Sequence, residues 1–482
     1  MMGRTQHRQE QLFYTAFSLE ERIGPDNRLR QIRDGVDFSF ARPAVAHLYG
    51  DVGNPSVDPI VLLKLMLISF LENIPGEREL MRRLPERLDW LWFCEYDLDS
   101  KLPNHSVLSK ARRRWGLDVF EEFFAQILMQ CMEAGLVDGE TIHIDSSLIQ
   151  SDVSVDSLKP AFAVLARQAF EQLEENCDVP ADSPPPVDSA PIDAKTKLSD
   201  TDPEARCRTK GKQSVIGYQE HRVVDDAYGI ITASETTDAS VGESRTLETM
   251  VEQHEANTDS SPTHVVADKA YGTAENYQYL RDRNLQPCIP HRHPSATNTN
   301  AYPKSTFTYD AEADHYVCPA GAILKRRSKQ PNTRGQIAYR ADSSTCRACS
   351  QREACFGGKV GKRGKSLCRI AGQDAIDWAD ACLPRHRRRH LMSRRKSVIE
   401  GSFGDATTHH GFKRCRWRRR WRAKVQNLLI ATLQNMRKLL TYGRQRPRRA
   451  ALAIRRALLW LQTATHCPRT LPNRHGWLPI GI

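Results

Sequence analysis

Three acidic residues stand where carboxylates could do metal chemistry: Asp145 in HIDSS, Asp268 in VVADKAYG and Glu400 in SVIEGSFG. Glu400 is the most telling, because it lies in the most basic stretch of the chain. Between Arg385 and Lys424 there are 15 Lys/Arg against two acids, Glu400 and Asp405, a local charge of +13. The whole chain carries +12, so everything outside that stretch sums to about −1. The positive charge is therefore local, and a polyphosphate is its natural partner: each Lys or Arg brought to nucleic acid releases condensed counterions. A lone carboxylate there repels phosphate unless a cation neutralises it. Hard divalent cations prefer oxygen ligands, and metal-bound carboxylates beside a phosphate cut and join DNA in many enzymes. Taken singly, each acid also reads as an ordinary turn or cap residue; only their company gives them weight.

These side chains need elements to hold them. ETIHIDSSL alternates, with Ile142 and Ile144 on one face and His143 and Asp145 on the other, and predicts a strand ending near Asp145. THVVADKAYG predicts a short buried strand ending at Asp268, and LQPCIP another. VIGYQEHRVVDDAYGIITASETT reads as two strands joined by a DAYG turn. ESRTLETMVEQH, TAENYQYLRDRN and the segment around Glu400 are helical, as is KVQNLLIATLQNMRKLL. The fold class is therefore α/β, a mixed sheet with helices packed on it. Carboxylates at neighbouring strand ends can there converge on a pair of cations.

Ahead of this lies an all-helical region. Leu62, Leu63, Leu65, Met66 and Phe70 follow Pro59 at helical spacing, a second helix starts at a cap on Asn104 or Ser106, and Val119 to Ala134 is a third. At 482 residues the chain has room for about three domains. The division expected is a helical N-terminal domain over 1–135, the first part of a catalytic core over 136–290 with a linker insertion at 152–198, an irregular Cys-containing insertion over 291–394, core helices with Glu400 over 395–443, and a basic tail over 444–482. The linker includes the acidic, Pro-rich DVPADSPPPVDSAPIDA, which has little core-forming content.

Cys318, Cys346, Cys349 and Cys355 form a second constellation, and only Cys346 and Cys349 make a CxxC. Four thiolates can close a tetrahedral zinc site and order a loop-rich insertion; the other reading is unliganded, reduced thiols. Cys368 is a substitute ligand. The candidate phosphate contacts are Lys396, Lys413, Arg414, Arg416, Arg418, Arg419, Arg420, Arg422 and Lys424. Trp417 and Trp421, four apart, either stack on exposed bases or form the core-facing side of their helix. GGKVGKRGKS is not a phosphate-binding P-loop, since Lys359 stands where its first Gly belongs. His386 and His390 flank RRR with no Glu between them and read as solvated or phosphate-facing rather than as metal ligands. No apolar h-region follows Met1–Glu10, and the run Ile60–Leu71 is too short to span a bilayer. The expectation is a cytoplasmic, nucleoid-associated protein without a membrane partner. An odd total of 13 Cys fits reduced thiols or a metal site better than a disulfide framework.

The segment NPSVDPIVLLKLMLISFLENIPGERELMRRLPERLDWLWF, with LPNHSVLSKARRR after it, resembles the N-terminal domain of bacterial insertion-sequence transposases. HIDSSLIQSDVS, SDTDPEARCRTKGKQSVIGYQEHRVVDDAYGIITASETTDASVGES, VVADKAYGTAENYQYL and RRKSVIEGSFGDATTHHGFKR resemble, in order, the blocks of a DDE-type transposase domain. The resemblance covers about residues 25–440. It implies a ribonuclease-H-like core with Asp145, Asp268 and Glu400 as the metal-binding triad, Mg2+ or Mn2+ as cofactor, and Zn2+ as a second candidate at the cysteines. The implied partners are the transposon inverted repeats and target DNA, bound by a homodimer. Such proteins tend to carry a basic residue four before the Glu and Lys seven after it; Lys396 fits, but Thr407 holds the second place, so either Lys413 or Arg414 takes over that phosphate contact or the contact is missing. Arg422-Ala423 stands where Arg-Gly is frequent. The alternatives are a non-catalytic zinc- and DNA-binding protein, such as a decayed transposase or repressor, and a nuclease that hydrolyses without joining.

Overall fold

A computed structural model of the chain describes residues 2, 18–174, 192, 196–210, 213–291, 301–332, 335–358 and 363–443. The Pro-rich run at 178–194, apart from Ile192, and the tail from 444 lie outside these residues.

Hydrophobic alternation builds the central sheet. Its strands are β1 (Thr141–Gln150), β2 (Arg206–Lys210), β3 (Gln213–Asp225), β4 (Ile231–Asp238), β5 (His264–Ala267) and β6 (Gln286–Cys288). They run in the order β2-β3-β1-β5-β6, with β4 also on β3. β3 pairs antiparallel with β1, β2 and β4, while β5 pairs parallel with β1 and β6 parallel with β5. This mixed sheet is consistent with a ribonuclease-H-like core. β1 continues to Gln150, five residues past its expected end, because β3 is long enough to pair with it from Ile142↔Asp225 to Gln150↔Gly217.

Both faces of the sheet are covered. Ile142, Ile144, Val223, Val265 and Ala267 point to one side and pack on α3 (Leu247–Thr258), α4 (Ala274–Asp282) and α5 (Gln373–Cys382). On the other, Val266 and Cys288 meet Leu391 of α6 (Arg385–Arg395), while Tyr218, Val224 and Ile231 share a core with the long helix Arg420–Tyr442. Here α5 and α6, expected within the irregular Cys-containing segment, are layers of the main core.

The N-terminal helices belong to the same core. Helix α1 (Pro59–Leu71) has Pro at its first turn, a cap in which Asp58 Oδ1 accepts from Ile60 N at 2.9 Å, and every residue buried. A helix apolar all round must be enclosed. Its one charge, Lys64, reaches Glu95 at 2.9 Å. The second and third expected helices form one span, α2 (Ser106–Glu133), broken at Gly116, whose φ of 69° only glycine adopts without strain. Phe120, Phe123, Ile127 and Cys131 of that span pack with Leu428, Leu433 and Met436 of the C-terminal helix.

The Cys-containing segment is more regular than its sequence suggests. Five short antiparallel strands, Thr308–Asp310, His315–Val317, Ile323–Arg326, Gln336–Ala341 and Ser366–Ile370, form a meander. Tyr309, Tyr316 and Tyr339 pack with ring centroids 4.9–6.1 Å apart. Strands of three to six residues between Gly- and Lys-rich turns leave too little periodicity to read.

One buried acid makes the stability of the core pH-dependent. Asp225, fully enclosed at the end of β3, accepts from Gly139 N and Ala227 N at 2.9 and 3.0 Å. Burial, then the charge of Asp138, push its carboxyl up to about 7. A folded-state pKa above the unfolded value of about 3.9 gives stability that is complete below that value and lost as pH rises through about 7. The unfolding midpoint should therefore fall between pH 5 and pH 8, and Asp225→Asn should shrink the fall. Equal falls in thermal melts of both proteins would contradict this assignment.

Candidate active site

Strand register brings the first two acids together. Ile144 of β1 pairs in parallel with Ala267 of β5, so the next residues, Asp145 and Asp268, stand side by side at adjacent strand positions. Neighbouring strands lie about 4.8 Å apart. The alternation that sends Ile144 and Ala267 to one face sends Asp145 and Asp268 to the other. Asp145 Oδ1 accepts from Ser146 N at 2.8 Å, and Asp268 Oδ1 caps the turn Lys269–Tyr271 by accepting from Ala270 N at 2.7 Å.

Glu400 arrives from the helical layer on that same face. After α6 the chain makes a π-helical turn, Lys396–Glu400, and enters α7 (Gly401–His410). π-Turns are uncommon and concentrate at functional sites. Val398 and Ile399 are buried beneath this turn and Glu400 faces outward. Arg395, the residue just before this turn, joins two of the acids: Nη1 donates to Asp145 Oδ2 at 2.7 Å and Nη2 to Glu400 Oε1 at 2.9 Å. Sequence reasoning missed Arg395, since in a run of arginines nothing marks one as turned inward. Arg394 is tied too, its Nε donating at 3.0 Å to Asp226 Oδ1, which also contacts His143 Nε2 at 2.8 Å.

Burial pushes the Asp145 carboxyl up to about 6; Arg395 opposes this and Asp268 adds to it. Asp145, Asp268 and Glu400 thus offer the hard oxygen donors a divalent cation takes. Among the described residues, however, no three His, Cys, Asp or Glu side chains are grouped as a metal site as they stand. The oxygens of Asp145 and Glu400 are turned toward the guanidinium instead.

Lys413 extends the site. The segment after α7 is stitched to the end of β1 by Gln150 N donating to Lys413 O at 3.0 Å and Cys415 N to Gln150 O at 2.8 Å. Lys413 Nζ thereby reaches Ser147 Oγ at 2.6 Å, two residues along β1 from Asp145. Thr407 only donates to the Phe403 carbonyl of its own helix.

The other predicted phosphate contacts divide. Lys396 is exposed. Arg414 and Arg418 lie on Asp152, with Arg414 Nη2 at 3.2 Å and Arg418 Nε donating to its backbone oxygen at 3.1 Å. Arg419 Nη1 is 3.8 Å from Glu204, and Arg420 donates its backbone N–H to the same carboxylate at 2.6 Å. The exposed side-chain pairs of Arg414, Arg418 and Arg419 contribute little stability, so these cations can exchange a carboxylate for a phosphate. Arg422 lies 5.0 Å from the Trp421 ring.

Two are structural. Arg416 donates to Ser69 Oγ at 2.7 Å and Asn73 Oδ1 at 3.2 Å and lies over the Phe70 ring; burial lowers its pKa to about 10. Lys424 is bound to Glu121 and Glu235 at 2.6 and 2.7 Å and is only 12% exposed. Trp417 and Trp421 pack against the main core, Trp417 edge-on to Phe70 and beneath Arg112, which is the core-facing alternative.

The four cysteines also share a neighbourhood. Cys318, Cys346 and Cys355 pack against the aromatic core of the small sheet. The Cys355 thiol is pushed up by burial, with Lys365 opposing and Cys346, Cys318 and Cys349 adding. No described cysteine forms a disulfide.

Comparison with known proteins gives the family. The family described as "Transposase DDE domain" matches residues 186–436, and the one described as "Transposase domain (DUF772)" matches residues 17–114. The chain belongs to the DDE-domain transposases, a family of DNA-recombination enzymes found in insertion sequences. No curated protein matches it. Among solved structures, the cryo-EM structure of the piggyBac transposase synaptic complex with hairpin DNA is similar at 9% identity and a TM-score of 0.34, over 91% of this chain and 83% of that one. No described helix is long and apolar enough to cross a membrane.

The two classes of basic residue should separate experimentally. Lys424→Ala leaves Glu121 and Glu235 without their cation and should destabilise the fold by about 3 kcal/mol. The double variant Arg414→Ala/Arg418→Ala should melt as the wild type does and bind DNA with a salt slope shallower by up to about two. Equal melting losses in both would show that the exposed pairs are structural as well.

Proposed function

We propose that this chain is a transposase that cleaves DNA at the ends of its transposon and transfers the freed 3′-OH into target DNA. The observation that carries the reading is the placement of Asp145 and Asp268 at adjacent positions of parallel strands, with Glu400 joined to Asp145 through Arg395. These carboxylates would hold Mg2+ or Mn2+, which supplies water activation and stabilisation of the leaving oxygen. The protein's own share is alignment. β1 and β5 fix two donors on one edge, and the π-turn brings the third across from the helical layer. Lys413, beside Ser147, replaces the lysine missing at position 407 and offers a cation to the phosphodiester next to Asp145. Lys396 and the exposed arginines on Asp152 and Glu204 continue the cationic surface. The N-terminal helices supply recognition of the inverted repeats, and two chains act together on DNA.

The same proposal assigns Zn2+ to Cys318, Cys346, Cys349 and Cys355, the first, second and fourth of which pack against the aromatic core of the small sheet. The ion would fasten the short helices carrying Cys346 and Cys355 to the CPAG turn at Cys318. Purified protein should carry one zinc per chain by elemental analysis, and Cys346→Ser should lose it. A zinc-free, fully folded wild type would remove zinc from the account.

Asp145→Ala and Glu400→Ala should each abolish strand cleavage in Mg2+ while leaving DNA affinity within about twofold. A gel that separates nicked, cleaved and joined products checks this. Normal cutting by either variant would defeat the assignment. Cut ends without joined strands from the wild type would favour a hydrolytic nuclease, and binding without any cutting would favour a DNA-binding protein alone.

A further inference from the structure

We propose that Arg395 is a positioning residue that serves as an internal cation: it holds Asp145 and Glu400 in place, and a divalent metal reaches them only by displacing it. The inference rests on the reading of Asp145, Asp268 and Glu400 as metal ligands. Its basis is the shape and charge of this cluster. Arg395 spans the gap between strand β1 and the π-turn with one nitrogen on each carboxylate, at 2.7 and 2.9 Å. Its side chain is only 12% exposed, whereas that of Glu400 is 47% exposed. The guanidinium therefore fills the space between the acids and leaves one of them open to solvent.

Charge shows why the arrangement is provisional. Arg395 meets two of the three carboxylates, so its single positive charge cannot match the negative charge of the cluster. The pairing serves two acids and leaves the third, Asp268, to cap its own turn. Arg395 Nε is buried without a hydrogen-bond partner, so the guanidinium is itself incompletely satisfied. A planar monocation cannot draw three carboxylates to one point, whereas a divalent ion can.

The backbone allows the exchange. Arg394, one residue earlier, is fastened to Asp226 through both Oδ1 and the backbone oxygen, at 3.0 and 2.6 Å. That anchor holds the end of α6 while the side chain of Arg395 swings out. Once released, Arg395 lies beside the place a phosphodiester would take, and a guanidinium makes paired, charge-assisted hydrogen bonds to phosphate oxygens. One residue would thus guard the carboxylates before metal binds and face the DNA backbone afterwards.

The test measures Mn2+ binding to the full chain without DNA, from the free-ion EPR signal. Arg395→Gln removes the competing charge and should bind Mn2+ roughly tenfold more tightly than the wild type, as expected for deleting one like charge at a few ångström in a partly solvated site. Arg395→Lys keeps the charge but loses the two-point contact and should fall between them; it carries the test if Arg395→Gln does not fold. Unchanged or weaker binding in the folded variant overturns the proposal, since the arginine would then be a tie that coexists with metal. Asp145→Asn serves as the reference. If it binds Mn2+ as well as the wild type, the carboxylate site itself has been misread, a failure distinct from that of Arg395.

Discussion

A single buried guanidinium, that of Arg222, sets where the helical layer sits on the sheet. It is fully enclosed in β3, directly across the ladder from Asp145. Its donors run to Glu220 on its own strand at 2.7 and 3.2 Å, to Ser402 Oγ at 2.9 Å and to Gln434 Oε1 at 2.9 Å. The rings of Phe403 and Phe412 lie 4.7 and 5.0 Å from its charged carbon. A charge this deep cannot be left short of partners, because each missing one exposes the desolvation cost in full. Ser402 is two residues past Glu400, and Gln434 lies in the long C-terminal helix. Satisfying Arg222 therefore fixes both helices over the strand that carries Asp145.

From that anchor the rest of the site follows in short steps. Gln434 also donates to the Ser402 carbonyl and to Asp405, so the two helices are tied to each other as well as to the sheet. Asn435, next in line, exchanges hydrogen bonds of 2.8 Å with the backbone of Ile231 at the start of β4. The C-terminal helix in turn shares its apolar face with the N-terminal helices, so those helices and the layer that carries Glu400 form one packed body. Any movement of Glu400 relative to Asp145 must come from the π-turn and its neighbouring side chains, because the layers on either side are locked.

Much of this was legible in the sequence. Alternation in ETIHIDSSL placed Ile142 and Ile144 inward and His143 and Asp145 on the opposite face, and the short apolar run before Asp268 marked the partner strand. The helical period around Val425 to Leu439 marked the long helix. What stayed hidden shares one cause: composition does not say which member of a charged run turns inward. Arg222, Arg395, Arg416 and Lys424 look like any other basic residues until their partners, supplied by distant segments, are known. Glu220 and Arg222 in a strand read as its solvated edge, yet both are fully buried. The π-turn is likewise silent, because one extra residue in a helical run barely disturbs the apolar period.

Asp145, Asp268 and Glu400, distant in sequence, are proposed to serve one metal site. Fe2+ substituted for Mg2+ in the presence of peroxide generates hydroxyl radicals that cut the backbone only near the bound ion. Cuts are expected in three separate stretches, near residues 145, 268 and 400, all suppressed by excess Mg2+ and all lost together in Asp145→Asn. Cuts confined to one of these stretches, or persisting unchanged in that variant, would contradict it.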